Sequence, residues 1–295
     1  MMLKQMSPLA QRLIVGSAAV FLALLAIFLS PFPFFKPFFT AIIAGSIGMA
    51  MWELFKIAEA KGFSPAKKLS LFFGCVYAAS VSISTQFPSA ELLPELVLLL
   101  SLFCCFVHYF IGGGSPFINL SLSIFSLAYL AVPLSCMLSV TYFFSSQSMQ
   151  DGRCWIFYLL LVTKMTDTGA YFIGRAFGHQ KMAPIISPKK TWEGAIGGLV
   201  VSIATSLLFT FLLQLLSPER FQLSLWQSIW LGASLGILAQ CGDLAESLLK
   251  RDAGIKDSNR LPGLGGMLDT VDSLVFTAPF MYMFLKFYFP PLLMQ

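Results

Sequence analysis

Charged side chains are scarce in this sequence: Asp, Glu, Lys and Arg together make up 11% of its 295 residues. Hydrophobic residues make up 57%, including 30 Phe, and the mean hydropathy is +0.79. A soluble domain of this length could not bury so much apolar surface. The scarcity of charge therefore excludes an ordinary soluble protein and predicts an integral membrane protein.

Paired cysteine motifs are absent as well. The six cysteines form no C-x-x-C pair, and most of them fall within apolar segments. We interpret them as small packing residues, and the sequence gives no sign of a disulfide or zinc framework. The sequence also shows no internal repeat of the kind that indicates the inverted halves of many transporters.

Long apolar segments are abundant. A membrane-spanning helix needs about 20 mostly apolar residues, and this requirement is met repeatedly along the chain. The predicted spans lie at 13–30, 34–52, 69–87, 92–111, 117–144, 154–174, 195–216, 225–248 and 272–289. The predicted fold class is therefore all-α, a polytopic integral membrane protein with about nine transmembrane helices.

The first span and the positive charges bear on topology. A cleaved signal peptide is the alternative for 13–30, but that segment is long for a signal and runs almost directly into the next, so we expect a retained helix. With the N-terminus in the cytoplasm, most of the 19 Lys and Arg residues fall in cytoplasmic loops, as the positive-inside rule requires. This asymmetry accounts for the net charge of +5 without nucleic acid as a partner.

The two halves of the chain differ in character. Residues 1–150 carry few charges and are predicted to be a transmembrane scaffold. Residues 151–295 place polar side chains within or at the ends of apolar segments, where charges are costly and normally serve a site. This half is therefore predicted to be the catalytic region, with cytoplasmic loops at 175–194 and 249–271.

Four acidic residues occur in two pairs near predicted helix ends. Asp243 and Glu246 are three residues apart, and Asp269 and Asp272 repeat that spacing, which places each pair on one helix face. If the two ends converge, the carboxylates need a cation between them, and oxygen ligands favour Mg²⁺. The alternative is that these acids cap helices or form ion pairs, such as an exposed pair between Glu246 and Lys250.

The loop between these acids is rich in cations and glycines. Lys250, Arg251, Lys256 and Arg260 share it with Gly263, Gly265 and Gly266. Cationic side chains and exposed backbone amides together suit a polyphosphate. The alternative is that the cations only set membrane topology.

A second polar cluster spans residues 166–194. Asp167 falls inside a predicted span, where it needs Lys164, Arg175 or a metal as its partner. Small residues that allow close helix approach accompany it, namely Gly169, Gly174 and Gly178. The cluster ends in a cytoplasmic turn that contains Ser187, Lys189, Lys190, Thr191 and Glu193. Thr191 fits the N-cap of the helix that follows.

These segments together resemble the signature of the phosphatidate cytidylyltransferases, also called CDP-diacylglycerol synthases. The residues that fit its spacing are Ser247, Lys250, Arg251, Lys256, Asp257, Leu261, Pro262, Gly263, Gly265, Gly266, Asp269 and Asp272. The stretches "DTGAYFIGRAFG" and "ISPKKTWEG" are similar to two upstream motifs of that family, in the expected order. The motif resemblance covers roughly residues 165–275.

The resemblance implies that CTP and phosphatidate are converted to CDP-diacylglycerol and pyrophosphate, in phospholipid biosynthesis and with Mg²⁺ as cofactor. We expect Asp243, Asp269 and Asp272 to bind the magnesium, with Glu246 and Asp257 as catalytic or supporting acids. Asp167 is expected to line the site or to hold a second cation. The residues expected to bind the substrate phosphates are Ser187, Lys189, Lys190, Lys250, Arg251, Lys256, Arg260, Gly263, Gly265 and Gly266.

Two positions depart from the family pattern. Leu264 stands where the family usually has His, and Thr270 stands where it usually has Arg. The phosphate contacts of that His and Arg must therefore be absent here or supplied by other residues. This affects the expected substrate affinity and rate more than the class of reaction.

Substrate geometry sets the expected location. CTP arrives from the cytoplasm, whereas the acyl chains of phosphatidate stay in the bilayer, so the site is expected at the cytoplasmic surface of a bacterial cytoplasmic (inner) membrane. A homodimer is compatible with this arrangement.

Two alternative functions remain open. A CTP-dependent lipid kinase of the dolichol or phytol type would transfer the γ-phosphate instead and release CDP. An ion-coupled transporter would use Asp167 and Lys164 within the membrane. A CDP-alcohol phosphotransferase is disfavoured because its D-G-x-x-A-R motif is absent.

Overall fold

The computed structural model describes residue 17 and the ranges 21–144, 148–255 and 266–289. Its helices are α1 (21–29), α2 (Lys36–Ala60), α3 (Lys67–Ser84), α4 (Leu93–Gly112), α5 (Pro116–Ser126), α6 (Val132–Thr141), α7 (Gly152–Phe177), α8 (Trp192–Leu216), α9 (Leu225–Asp252), α10 (Met267–Val271) and α11 (Leu274–Tyr288). Two strands, β1 (Lys181–Ala183) and β2 (Ser187–Thr191), pair as an antiparallel hairpin.

Each predicted span overlaps a helix, although not every helix is by itself long and apolar enough to cross a bilayer. Five helical stretches among the described residues meet that criterion. They are Lys36–Ala60, Pro88–Gly112, Pro116–Thr141, Trp192–Leu216 and Met267–Tyr288. These stretches are typical of a membrane protein and confirm the largely helical fold.

The hairpin between α7 and α8 corrects the all-α prediction. Strand β2 begins with Ser187 and Pro188, and a proline pushes the residue before it away from helical backbone angles. The strands are only three and five residues long, so they leave no recognisable alternation in the sequence. A helical irregularity lies before Pro133, where a π-helical turn at Leu127–Ala131 joins α5 to α6. Proline has no N–H for the helical ladder, which accounts for this turn.

The structure has two compact units. The first contains the chain up to Leu138 together with Asp252–Val271, and the second contains Ser139–Arg251 together with the chain from Asp272 onward. The chain passes from the first unit to the second after Leu138, and Asp252–Val271 returns to the first. The described part of the predicted cytoplasmic loop 249–271 belongs largely to the first unit.

The first unit is built from α2, α3 and α4, which pack in sequence order. Apolar side chains such as Ile47 and Met51 are fully buried in it. Polar backbone groups at the turn before α3 are satisfied by α5, because Asn119 accepts from the Ser64 amide at 2.9 Å and Ser123 accepts from the Ala66 amide at 3.0 Å. Such pairing is required where water is excluded.

The second unit is organised around the contact between α7 and α8. Small residues form this contact, because a Cβ at Gly169 would lie 2.7 Å from Cβ of Val201, and one at Gly194 would lie 3.0 Å from Cα of Gly174. Close backbone approach of this kind is characteristic of packed membrane helices. The predicted role of Gly169 and Gly174 in helix approach is therefore confirmed.

Replacing Gly169 with alanine should weaken the contact between α7 and α8. The new methyl group meets Cβ of Val201, which the backbone of α8 holds in place, so the helices must separate. We expect a loss of about 1–3 kcal/mol in the free energy of unfolding, measured in detergent by thermal or denaturant unfolding. Gly45→Ala is the matched control, because a Cβ at that helical glycine meets nothing within 4 Å. Equal stability of the two variants would contradict this account of the packing.

Candidate functional site

The hairpin and the start of α8 form one side of the candidate site. Thr191 is the N-cap of α8, and its Oγ1 accepts from the Gly194 amide at 3.2 Å, which confirms the predicted cap. Glu193 in the first turn accepts from the Gln180 amide at 3.1 Å, and the Trp192 amide donates to the Gln180 carbonyl at 2.9 Å. These bonds attach the hairpin to the helix and fix the strand that carries Lys189 and Lys190.

A pocket of about 390 Å³ opens beside this hairpin, within the second unit. Its walls come from α7, the hairpin, the first turn of α8 and α9. The charged side chains that line it are Asp167, Arg175, Lys181, Lys189, Lys190 and Asp243. The volume lies in the range typical of small-molecule sites, about 300–1,000 Å³. Four cations against two carboxylates favour an anionic ligand.

Lys190 and Asp243 form an ion pair within this pocket. Lys190 Nζ lies 2.7 Å from Asp243 Oδ2, and both side chains are only partly exposed. The pair joins the hairpin to α9, so a cation and a carboxylate are held side by side at the pocket wall. A partly buried pair of this kind is screened less by salt than a surface pair.

Three aspartates converge in the second unit. The carboxylates of Asp167 and Asp272 both lie within electrostatic range of Asp243. Ser273 Oγ lies 3.2 Å from Asp167 Oδ2 and 3.1 Å from Asp272 Oδ1, so its single O–H can donate to either carboxylate and lies between the two. Of the four acids expected to converge, Asp243 and Asp272 belong to this group in the second unit, whereas Glu246 pairs with Lys250.

Gly242 permits this convergence. A Cβ at this position would lie 2.4 Å from the carbonyl oxygen of Asp272, so α9 touches the backbone at Asp272 directly. Any larger residue would separate Asp243 from Asp272. Lys164, one of the predicted partners of Asp167, lies 3.7 Å from its Oδ2.

The oxygen-rich site is compatible with Mg²⁺, although the described ranges contain no group of three or more His, Cys, Asp or Glu side chains placed to hold a metal. Magnesium is usually bound in proteins by one or two carboxylates, with substrate phosphates and water completing its shell. Asp243 and Asp272 provide two carboxylates of that kind. The donor chemistry therefore fits magnesium held jointly by the protein and a phosphorylated substrate.

Other predicted site residues have different partners. Glu246 and Lys250 form a buried ion pair with a 2.5 Å separation, which agrees with the alternative interpretation of Glu246, except that this pair was expected to be exposed. Arg251 donates from Nε to the Ile186 carbonyl at 3.0 Å, next to Ser187 at the start of β2. These contacts join the end of α9 to the hairpin.

Asp269 lies in the first unit, within α10. Its Oδ2 accepts from the Gly266 amide at 3.3 Å, as expected of an acid at a helix start. Thr270, the residue that replaces the family's arginine, donates its hydroxyl to the Gly266 carbonyl at 2.9 Å. The predicted residues Lys256, Asp257, Arg260, Gly263 and Gly265 lie outside the described ranges.

Several residues that line the pocket did not enter the sequence-based site. Arg175 near the end of α7 donates to the Tyr171 hydroxyl at 3.1 Å, and Lys181 lies on β1. Gln240 on α9 donates to the Ala195 carbonyl at 3.1 Å. Arg175 and Lys181 both fall near the segment "GRAFGHQK", so their proximity to the upstream motif was the available signal. The positive-inside rule explained the two cations equally well, so this proximity did not single them out as site residues.

The fold and the site together define a membrane protein with a cation-lined pocket for an anionic ligand and paired carboxylates beside it. A model of the cytidylyltransferase family matches residues 10–288. The chain belongs to this family.

Individual relatives agree with the family match. The phosphatidate cytidylyltransferase of Chlamydia pneumoniae is 33% identical over 288 residues, which cover 94% of this chain and 92% of that protein. The phosphatidate cytidylyltransferase of Bacillus subtilis (strain 168) is 30% identical over 285 residues, which cover 96% of this chain and 100% of that protein. The similarity therefore extends well beyond the motifs between 165 and 275.

Removing the N-cap at Thr191 should destabilise the start of α8. In Thr191→Val the shape of the side chain is kept, but the Gly194 amide loses its acceptor. We expect a loss of about 1 kcal/mol in the free energy of unfolding. Thr191→Ser, which keeps the hydroxyl, should stay close to the unsubstituted protein. Unfolding midpoints in detergent distinguish the two, and identical midpoints would refute the capping role.

Proposed function

We propose that this chain is a phosphatidate cytidylyltransferase, which forms CDP-diacylglycerol and pyrophosphate from CTP and phosphatidate. The observation that carries the proposal is the pocket of the second unit, where Lys181, Lys189 and Lys190 lie beside the carboxylate of Asp243. An anionic nucleotide requires the cations, and a phosphate-bound metal requires the carboxylates. The family match across nearly the whole chain supports the same reaction.

The reaction needs alignment and charge neutralisation more than acid–base chemistry. An oxygen of the phosphatidate phosphate attacks the α-phosphorus of CTP and forms the new P–O bond. The bond from that phosphorus to the oxygen leading to the β-phosphate breaks, and pyrophosphate leaves. The nucleophile is already an anion, so no general base is required, and catalysis rests on positioning and electrostatic stabilisation.

The cations of the pocket are suited to this task. Arg175 and Lys181 approach from α7 and β1, while Lys189 and Lys190 approach from β2. They would hold the phosphates of both substrates and stabilise the departing pyrophosphate. Lys190 is already oriented by Asp243, which lowers the cost of ordering it when a phosphate binds.

Asp243 and Asp272 would hold the magnesium, and Asp167 lies beside them as a site wall or as a ligand of a second cation. When bound, the ion neutralises charge on the triphosphate and on the leaving pyrophosphate. The Ser273 hydroxyl lies within hydrogen-bond distance of both Asp167 and Asp272, and its backbone amide donates to Asp272 Oδ1. Glu246 and Asp257 are proposed as supporting acids, whereas the carboxylate of Asp269 accepts from the Gly266 amide at the start of its own helix in the first unit.

The remaining phosphate contacts are also proposed. Ser187, Arg251 and Gly266 have described positions, and Lys250 would contribute from its ion pair with Glu246. The loop residues in this group are Lys256, Arg260, Gly263 and Gly265.

The membrane topology is the final part of the proposal. We infer nine spans with a cytoplasmic N-terminus, in a bacterial cytoplasmic membrane and compatible with a homodimer. The excess of Lys and Arg in loops on one side supports this orientation. It places the hairpin at the cytoplasmic surface, where CTP meets a lipid whose acyl chains stay in the bilayer.

The proposed metal ligands can be tested by removing one charge at a time. Asp243→Asn and Asp272→Asn should each lower the rate of CDP-diacylglycerol formation at least about 100-fold, because a neutral amide is a poor ligand for Mg²⁺. The assay uses labelled CTP, phosphatidate and magnesium with protein in lipid nanodiscs. Full activity in either variant would remove that residue from the metal site.

Asp252→Asn provides the matched control for the charge change. Asp252 also lies on α9, but it pairs with Lys61 in the first unit and is largely exposed. The Asp252→Asn variant should form CDP-diacylglycerol at a rate within about twofold of that of the unsubstituted protein, because a surface ion pair contributes little. The same assay identifies the product released from CTP. Pyrophosphate supports the proposed cytidylyl transfer, whereas CDP would indicate a lipid kinase.

Lys181 allows a test of the nucleotide pocket that does not depend on the metal ligands. Lys181→Gln removes one cation from the pocket wall and should raise the KM for CTP about threefold to tenfold, with a smaller effect on kcat. Lys68→Gln, at an exposed lysine of the first unit, should leave the KM unchanged. An unaltered KM in Lys181→Gln would show that CTP binds elsewhere.

A further inference from the structure

Glu53 is a buried carboxylate in the second half of an apolar helix. It lies on α2, within a stretch long and apolar enough to span a membrane, and its residue is 1% exposed. Its Oε1 accepts from the Met267 amide at 3.0 Å, and its Oε2 accepts from the Leu268 amide at 2.8 Å. Glu53 is therefore bonded to the start of α10, more than 200 residues later in the chain.

The two bonds provide acceptors for backbone amides at the start of α10. The first amides of a helix have no acceptor within the helix, and they carry the positive end of its dipole. An ionised carboxylate away from water likewise needs donors. Because each oxygen of Glu53 takes a different amide, the contact fixes both the position of α10 and its rotation about its own axis.

Helix α10 carries the first acid of the downstream motif and leads directly to the second. Asp269 lies in α10, where it accepts from the Gly266 amide, and Asp272 follows the last residue of the helix, Val271. The start of this short helix is therefore held by two carboxylates, one its own and one from α2. Because Asp272 directly follows α10, a displacement of α10 would also displace the backbone of Asp272.

We propose that Glu53 is a positioning residue for the acidic motif at Asp269–Asp272. It acts through the backbone of α10 and touches no substrate. The inference rests on the proposed function, because it assigns the motif acids to the reaction. The carboxylate at this position accepts from two amides at the start of α10, which an apolar side chain could not do.

The experiment compares Glu53→Gln with the unsubstituted full-length protein in nanodiscs. The amide oxygen of glutamine can accept only one of the two bonds, and its NH₂ group faces the other donor. Without substrate, we expect hydrogen exchange of the amides at 267–271 to be at least about tenfold faster, while α3 and α4 keep their protection. In turnover, kcat should fall about 10- to 100-fold with the KM for CTP within about twofold, the pattern of a group that supports ligands.

Glu59→Gln is the matched control on the same helix. Glu59 is exposed and pairs with Lys67 at 3.0 Å, so the same chemical change should alter neither exchange at α10 nor kcat. Glu53→Asp keeps the charge but is one methylene shorter, and it should give an intermediate loss in both measurements. This second variant keeps the test decisive if Glu53→Gln does not fold.

Three outcomes would overturn the inference. They are unchanged exchange at 267–271, faster exchange throughout the first unit, and faster exchange at α10 with an unaltered kcat. The exchange measurement needs no substrate, so it remains informative if the unsubstituted protein forms no CDP-diacylglycerol. That last result would count against the proposed function alone.

Discussion

The structure depends on one constraint: an ionised group in an apolar membrane chain must have a partner within reach. Glu53 binds two backbone amides, Glu246 binds Lys250, and Asp243 binds Lys190. Each partnership is specific in direction and distance, unlike the packing of one apolar side chain on another. The bonds of Glu53 and Asp243 join separate elements, α2 to α10 and α9 to the hairpin, whereas Glu246 and Lys250 pair within α9.

Small residues allow backbone segments to approach closely enough for such contacts. Asp243 can approach Asp272 because Gly242 lets α9 touch the backbone at Asp272. Gly174 and Gly194 likewise bring α7 and α8 together beside the hairpin that carries the cations. In the second unit, the glycines and the charges thus serve the same end, since the glycines supply the close approach that the charged groups require.

The sequence was sufficient to predict the helices because hydropathy is a local property, which each apolar run displays by itself. It did not reveal the hairpin, whose strands are too short to form a pattern. Spacing pointed to the motif acids, and the resemblance of "ISPKKTWEG" pointed to Lys189 and Lys190. Lys181, which lines the same pocket, was not singled out, because topology alone explains a lysine in a cytoplasmic loop. Glu53 was missed for a different reason: its partners are backbone amides, which leave no mark in the sequence.

The exchange of the family's arginine for Thr270 can be understood from the same constraint. The Thr270 hydroxyl donates to the Gly266 carbonyl, so this side chain turns back onto the start of its own helix. Position 270 therefore supports α10 and offers no charge to a phosphate. Among the described residues, the cations that line the pocket come from α7 and the hairpin, at Arg175, Lys181, Lys189 and Lys190. In the proposed function, these four cations supply phosphate contacts that position 270 does not offer.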